Sequence, residues 1–195
     1  MDSRNTVMHK NTSDLHNENN HGKLNDLRSK VMESFPFKLH WIFGYDTNVP
    51  VLNTSSATVK GIFFVAGSIG VCYNWIENSQ FMFSGHINDI SSVAITNDKT
   101  YIATADCGME NSLIIWNARN RNIAFFVSGH FPNEGVVWMC FSEDGNILLT
   151  LSKRIPQELS LWNWKLLETT PYCTYMFKED NQFQLPGFVK SFLYL

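Results

Sequence analysis

Gly85-His86 recurs as Gly129-His130, 44 residues on, and Trp116-Asn117 recurs as Trp162-Asn163, 46 residues on. Each unit keeps one order: Gly-His, an apolar run, a turn, a second run, a polar connection and a third run ending in Trp-Asn. The runs cover residues 90–95, 101–105 and 113–116 in one unit and 136–141, 147–151 and 159–162 in the other. They are four to six residues long, rich in β-branched and aromatic side chains, and cut by Asn97-Asp98-Lys99 and Glu143-Asp144-Gly145-Asn146. Such runs read as short strands, and the Asp-Gly pair as a hairpin turn. A worn earlier unit has Val71-Cys72-Tyr73-Asn74 where the Trp-Asn strand belongs.

A period of about 40–45 residues carrying Gly-His and a Trp-Asp-like dipeptide is the mark of propeller blades. The fold expected is all-β: a partial propeller of about three four-stranded antiparallel blades, with units near 38–84, 85–128 and 129–177 and a remnant at 178–195. Residues 1–33 contain no Phe, Trp or Tyr and are rich in Asn, Asp, His and Lys. Such a stretch buries too little apolar surface to offset its ordering entropy, so a disordered polar tail is expected before a domain spanning 34–195. His9, His16 and His21 fall in that tail and read as solvated side chains rather than metal ligands. His40 and Trp41 open the ordered part and are expected to begin a strand.

The composition narrows function. Fifteen Phe, six Trp and six Tyr favour strands over charged helices. Fifteen basic against eighteen acidic residues leave a net charge of −3, which disfavours nucleic acid as a partner. No apolar run reaches the ~18–20 residues of a membrane span, and the first thirty residues are too polar for a signal-peptide core. No membrane partner is therefore expected, and the chain reads as soluble and intracellular. Cys72, Cys107, Cys140 and Cys173 lie 33 to 35 residues apart with no close pair, and are expected to be buried, reduced thiols rather than metal or disulfide partners. No nucleophile–base set, phosphate loop, paired-carboxylate motif or calcium loop stands out, so neither catalysis nor a cofactor is expected.

On its Gly-His and Trp-Asn pairs the chain resembles the WD-repeat family over about residues 38–180, with Asn117 and Asn163 in place of the usual Asp. The resemblance implies that the Gly-His histidine and the third-strand tryptophan belong to a hydrogen-bonded set tying the strands of a blade. Those roles fall on His86 with Trp116 and on His130 with Trp162, and Thr104 or Thr150 could add a hydroxyl to each. Asp106 is the acidic member in the middle unit. Ser152-Lys153-Arg154-Ile155-Pro156 offers no acid at the matching place, so an incomplete set is expected there. The structural signature is thus Gly85, His86, Asp106, Trp116, Asn117, Gly129, His130, Trp162 and Asn163.

Two stretches are more particular. Trp41-Ile42-Phe43-Gly44-Tyr45-Asp46 with Val49-Pro50-Val51, and Ile102-Ala103-Thr104-Ala105-Asp106-Cys107-Gly108 leading to Leu113-Ile114-Ile115-Trp116, are similar to the cilia- and flagella-associated WD-repeat proteins. That similarity implies a non-enzymatic scaffold in the axoneme of a motile cilium or flagellum. Its partners would be subunits of the radial spoke or of the calmodulin- and spoke-associated complex, with tubulin as a second candidate. Candidate contact loops are Ile87-Asn88-Asp89, Phe131-Pro132-Asn133-Glu134 and Cys107-Gly108-Met109-Glu110-Asn111. Closed propellers have about 4–8 blades. Three units and an apolar end at Ser191-Phe192-Leu193-Tyr194-Leu195 therefore also fit a truncated product with little function of its own.

Overall fold

In a computed structural model of the chain, residues 39–56, 60–131 and 134–178 are described, and they form twelve strands and one short 3-10 turn. Sheet 1 holds β1 (Leu52–Asn53), β2 (Gly61–Ala66), β3 (Ile69–Asn74) and β4 (Ser79–Ser84). Sheet 2 holds β5 (Ile90–Ile95), β6 (Tyr101–Asp106), β7 (Ser112–Asn117) and β8 (Ile123–Ser128). Sheet 3 holds β9 (Val136–Phe141), β10 (Leu148–Ser152), β11 (Glu158–Trp162) and β12 (Cys173–Met176). Every neighbouring pair is antiparallel and sequential, so each sheet is a four-strand meander. The fold is all-β, a partial propeller-like stack of three sheets. The expected tail at 1–33 and most of the remnant at 178–195 lie outside the described residues.

Register makes the sheets comparable position by position. Ile102 pairs with Trp116, Leu148 with Trp162 and Ile62 with Tyr73. Tyr73 thus stands in sheet 1 where the tryptophans stand in sheets 2 and 3, and Asn74 stands where Asn117 and Asn163 do. Counting along the second strands, Phe64 and Ala66 take the places of Thr104 and Asp106.

The core lies between successive sheets, because both faces of a meander this apolar must be covered. One cluster joins Phe63, Val65 and Phe83 of sheet 1 to Ile90, Val93, Ile102, Ile114 and Trp116 of sheet 2, with Val49 from the preceding segment. The other joins Ala94, Ala103, Leu113, Ile115, Phe125 and Val127 of sheet 2 to Val136, Met139, Leu148, Trp162 and Trp164 of sheet 3. Each tryptophan packs edge-on against an aromatic ring of the sheet before it: Trp116 on Phe83 at 5.5 Å and Trp162 on Phe125 at 6.3 Å. Polar staples reinforce the stack. Ser91 Oγ donates to the Val136 carbonyl at 2.7 Å, and the Arg121 guanidinium sits 4.1 Å over the Phe81 ring.

One expectation fails here. His40 and Trp41 begin no strand; the first strand is β1, at Leu52–Asn53. Asp46 Oδ1 accepts the Asn48 N–H in a turn that Pro50 follows, and this bends the segment away from an extended path. Residues 41 and 42 lie instead on the face of sheet 1. The Gln80 side-chain amide pairs with the Ile42 peptide group in both directions, at 2.9 and 3.0 Å, as a neighbouring strand would. Trp41 meets the edge of Tyr73 at 6.0 Å.

Candidate functional site

In sheet 2 the signature residues form one continuous hydrogen-bonded chain. Trp116 Nε1–H donates to Thr104 Oγ1 at 2.8 Å, and an indole nitrogen is donor only. The Thr104 hydroxyl lies 2.6 Å from His86 Nε2 and also reaches the Ile114 carbonyl at 3.4 Å. His86 Nδ1 lies 2.8 Å from Asp106 Oδ2 and 2.9 Å from Ser112 Oγ. Asp106 also accepts the Ser112 backbone N–H at 2.7 Å and the Ser112 hydroxyl at 2.9 Å. Three elements are tied by this chain: the connection before β5, then β6 and β7. His86, Thr104, Asp106, Ser112 and Trp116 are all buried.

Hydroxyl, imidazole and carboxylate stand here in the order used for nucleophilic catalysis. The geometry does other work. Thr104 is fully buried and its hydroxyl oxygen is already hydrogen-bonded to Trp116 and His86, leaving no approach for a substrate. The arrangement links β6 and β7 to the connection before β5.

Sheet 3 repeats half of this chain. Trp162 Nε1–H donates to Thr150 Oγ1 at 2.9 Å, as in sheet 2. The Thr150 hydroxyl turns to the Ser160 carbonyl at 3.5 Å, and the His130 ring stands edge-on to Trp162, centroids 4.7 Å apart. Ser152 takes the place of Asp106, and its hydroxyl accepts the Glu158 N–H at 2.8 Å. The acid absent from the 152–156 turn is supplied six residues later. Glu158 Oε1 lies 3.9 Å from His130 Nε2 and accepts the Ser160 hydroxyl at 2.8 Å. Burial holds His130 below its ordinary value, and the Glu158 charge pulls it partly back. Ser112, Ser152, Glu158 and Ser160 were not singled out from the sequence, although aligning the two units places Glu158 opposite Ser112.

The two Gly-His glycines serve different needs. A Cβ at Gly85 would come within 2.8 Å of the Trp116 ring, so Gly85 makes room for the indole. Gly129 has open space but a φ of +69°, so it serves backbone conformation. Asn117 Oδ1 accepts the N–H groups of Arg119 and Asn120, and Asn74 Oδ1 those of Ile76 and Glu77. A neutral amide oxygen suffices for such a turn. Asn163 departs from this: it precedes the 3-10 turn Trp164–Leu166 without a side-chain cap.

The candidate contact loops are partly exposed. Ile87 and Met109 are 56% and 74% exposed, and Asp89 and Glu110 face solvent. Asn111 and Phe131 do not belong to such a surface: both are buried, and the Asn111 amide donates to the carbonyls of Gly108 and Phe131. Pro132 and Asn133 lie outside the described residues. The cysteines are free thiols, but Cys173 is exposed and the other three are half-buried, where uniformly buried thiols were expected. Burial pushes Cys72 up to about 12, against a lowering pull from Arg121, and Cys140 up to about 11, so neither supplies a thiolate nucleophile or ligand near neutral pH. Among the described residues no His, Cys, Asp or Glu group is arranged to hold a metal ion, and no helix is long and apolar enough to cross a membrane.

Comparison with known proteins places this fold. Residues 37–189 match the model of the CFAP251 N-terminal domain. Cilia- and flagella-associated protein 251 of Pongo abelii is 28% identical over 148 residues, covering 75% of this chain and 13% of that protein. Its namesake in Chlamydomonas reinhardtii is 32% identical over 145 residues, covering 71% of this chain and 18% of that protein. The 77 kDa echinoderm microtubule-associated protein of Strongylocentrotus purpuratus is 26% identical over 136 residues, covering 66% of this chain and 20% of that protein. The chain thus spans a fifth or less of the length of these relatives. With the domain model matched across all three sheets, the chain belongs to the CFAP251 N-terminal domain family.

Proposed function

We propose that the chain is a non-enzymatic WD-repeat scaffold working in the axoneme of a motile cilium or flagellum. The observation that carries this reading is the family match across residues 37–189, together with relatives named for cilia and flagella. The buried chain from Trp116 to Asp106 supports the WD-repeat part, since Gly85, His86, Asp106, Trp116 and Asn117 then act as structural parts of a blade. The corresponding members in sheet 3 are Gly129, His130, Trp162 and Asn163. Blades present exposed loops at their ends, and partners are held on surface rather than in a reactive cleft. The partners proposed are proteins of the radial spoke or of the calmodulin- and spoke-associated complex. The site of action is the ciliary cytoskeleton, with the cytoplasm as the pool from which it assembles.

Tubulin itself is the second reading, favoured by the likeness to a microtubule-associated protein. The test is localisation of the tagged endogenous chain in ciliated or spermatogenic cells, followed by detergent extraction. Retention on the axoneme is expected, and loss of retention with diffuse signal overturns the proposal. Cosedimentation of the purified chain with bare microtubules would favour tubulin as the direct partner; binding only to axonemes carrying spokes would favour the spoke complex.

A further inference from the structure

Two neighbouring turns, one from sheet 1 and one from sheet 2, present side chains of the kind that carry interfaces. The β3–β4 turn, residues 75–78, exposes Trp75 and Ile76 by 45% and 71%. The β7–β8 turn, residues 118–122, exposes Arg119 and Arg121. Tryptophan and arginine are the residue types that most often dominate binding energy at protein interfaces. Both turns already hold their shape. Asn74 Oδ1 and Asn117 Oδ1 each accept two N–H groups of the turn that follows, and the Arg121 N–H donates to the Asn117 carbonyl at 2.9 Å. Little ordering cost is left for a partner to offset.

Register sets the two turns side by side. The Arg121 guanidinium rests 4.1 Å over the Phe81 ring of β4. Phe81 lies two residues along β4 from Ser79, which pairs with Asn74 at the mouth of the 75–78 turn, and two residues of strand span roughly 7 Å. The Trp75 N–H donates to the Lys60 carbonyl at 3.2 Å, which brings a third exposed cation to the seam.

Charge sets this seam apart in a chain whose net charge is −3. Among the described residues Lys60, Arg119 and Arg121 form no ion pair. The carboxylates nearby are Glu77, which accepts the Ser79 hydroxyl at 3.5 Å, and Asp98, which accepts the Thr96 hydroxyl at 2.6 Å and the Thr100 N–H at 3.0 Å. Asp98 and its neighbour Lys99 offset each other on the β5–β6 turn, which the Ala118 N–H joins at the Thr100 carbonyl, 2.8 Å away. Three cations thus face Glu77 alone, next to an apolar pair.

We propose that this seam binds an acidic segment of a partner protein, its carboxylates on Arg119, Arg121 and Lys60 and an apolar side chain against Trp75 and Ile76. The guanidinium fork matches a carboxylate in pairs of hydrogen bonds. The proposal rests on the scaffold reading and names the chemistry of the partner. Nucleic acid fits less well, because a phosphate backbone needs a continuous track of cations and the seam interrupts its own with an aliphatic patch.

Fluorescence anisotropy of the purified full chain tests this, with a labelled peptide of glutamates around a central leucine–phenylalanine pair as the probe. Saturable binding is expected, weakening as salt rises from about 50 to about 300 mM. Counterparts with glutamine or lysine in place of glutamate should bind about tenfold more weakly or worse. Arg119→Glu and Trp75→Ser should each weaken the glutamate peptide by about tenfold. Thermal unfolding of each variant checks the fold, and Ile76→Ser, at the more exposed neighbour, stands in if Trp75→Ser melts early. Equal binding of the three peptides, tighter binding of a single-stranded oligonucleotide, or undiminished binding by either folded variant would overturn the proposal. Axonemal retention is read separately: retention without preference for the glutamate peptide removes this seam alone, and peptide binding without retention removes the axonemal placement alone.

Discussion

Ser152 accepts the Glu158 amide N–H at 2.8 Å, as Asp106 accepts that of Ser112 at 2.7 Å. The two sheets thus close the same turn with their polar roles exchanged. In sheet 2 the acid precedes the turn and the hydroxyl follows it; in sheet 3 the hydroxyl precedes and the acid follows. The exchange moves the carboxylate from full burial beside His86 to a half-buried place near His130. A side chain with one short hydroxyl cannot hold both the turn and a histidine, so Ser152 keeps the turn and His130 is left to Glu158.

Removing Asp106 should therefore cost far more than neutralising Glu158. Asp106→Ala removes the carboxylate that receives the Ser112 N–H and hydroxyl and pairs with His86 Nδ1, leaving the Ser112 N–H buried without that acceptor, a loss of about 1–3 kcal/mol for each group left unpaired. Glu158→Gln, at a half-exposed site, should stay within about 1 kcal/mol. Urea unfolding of the two variants beside the wild type measures the difference. Similar costs for both would mean that the Asp106 carboxylate does not hold sheet 2 together.

What was legible in the sequence follows the repeat. Sheets 2 and 3 were readable because Gly-His and Trp-Asn mark fixed register positions, and Thr104 and Thr150 sit at one offset from them. Sheet 1 was readable only as a worn unit: Tyr73 replaces the tryptophan, Phe64 replaces the threonine, and an apolar substitute leaves no polar pattern to find. The outer strand Cys173–Met176 is wholly exposed and lacks the alternation that half-burial imposes. Glu158 escaped notice because the exchange with Ser152 is visible only once the two turns are aligned. The segment 41–51 misled because its apolar residues pack on a sheet face through Gln80 and Tyr73, a contact with no local period.

Trp116→Ala should cost about 3–5 kcal/mol, the range for removing a large buried ring. Trp116→Phe keeps most of the packing on Phe83 but takes the indole donor from Thr104, and should cost roughly 1–3 kcal/mol. Thermal unfolding of both variants would check the order. An unchanged melting temperature for Trp116→Ala would contradict the placement of that ring between sheets 1 and 2.

Alanine at two positive-φ glycines should separate strain from collision. At Gly129 the new Cβ meets nothing within 4 Å, so the cost is the left-handed backbone alone, about 1–2 kcal/mol. At Gly135, φ +72°, the Cβ would stand 2.5 Å from the Asp106 carbonyl oxygen and 2.8 Å from Cys107 Cα. Backbone atoms cannot swing aside, so about 1–3 kcal/mol of overpacking adds to the same strain. Equal chemical-denaturation midpoints for the two variants would refute this distinction.

The His130–Glu158 pair gives stability a pH dependence of known sign. Burial lowers His130 from its ordinary 6.5, so the folded state binds fewer protons than the unfolded chain near that pH. Stability should be level above about 6.5 and fall as pH drops through the depressed folded value. Asp98 and Asp144 are held below their ordinary 3.8, chiefly by the hydroxyls of Thr96 and Ser142, and act only in a more acidic window. His130→Gln, which cannot titrate, should flatten the slope just below pH 6.5. Glu158→Gln should steepen it, because the carboxylate now offsets part of the burial and its loss lowers His130 further. Unfolding free energies measured from pH 7.5 to 5 for the three proteins decide this. A slope unchanged by His130→Gln would assign the titration to another group, and a shallower slope in Glu158→Gln would mean that the carboxylate does not favour the charged imidazole across the 3.9 Å separating them.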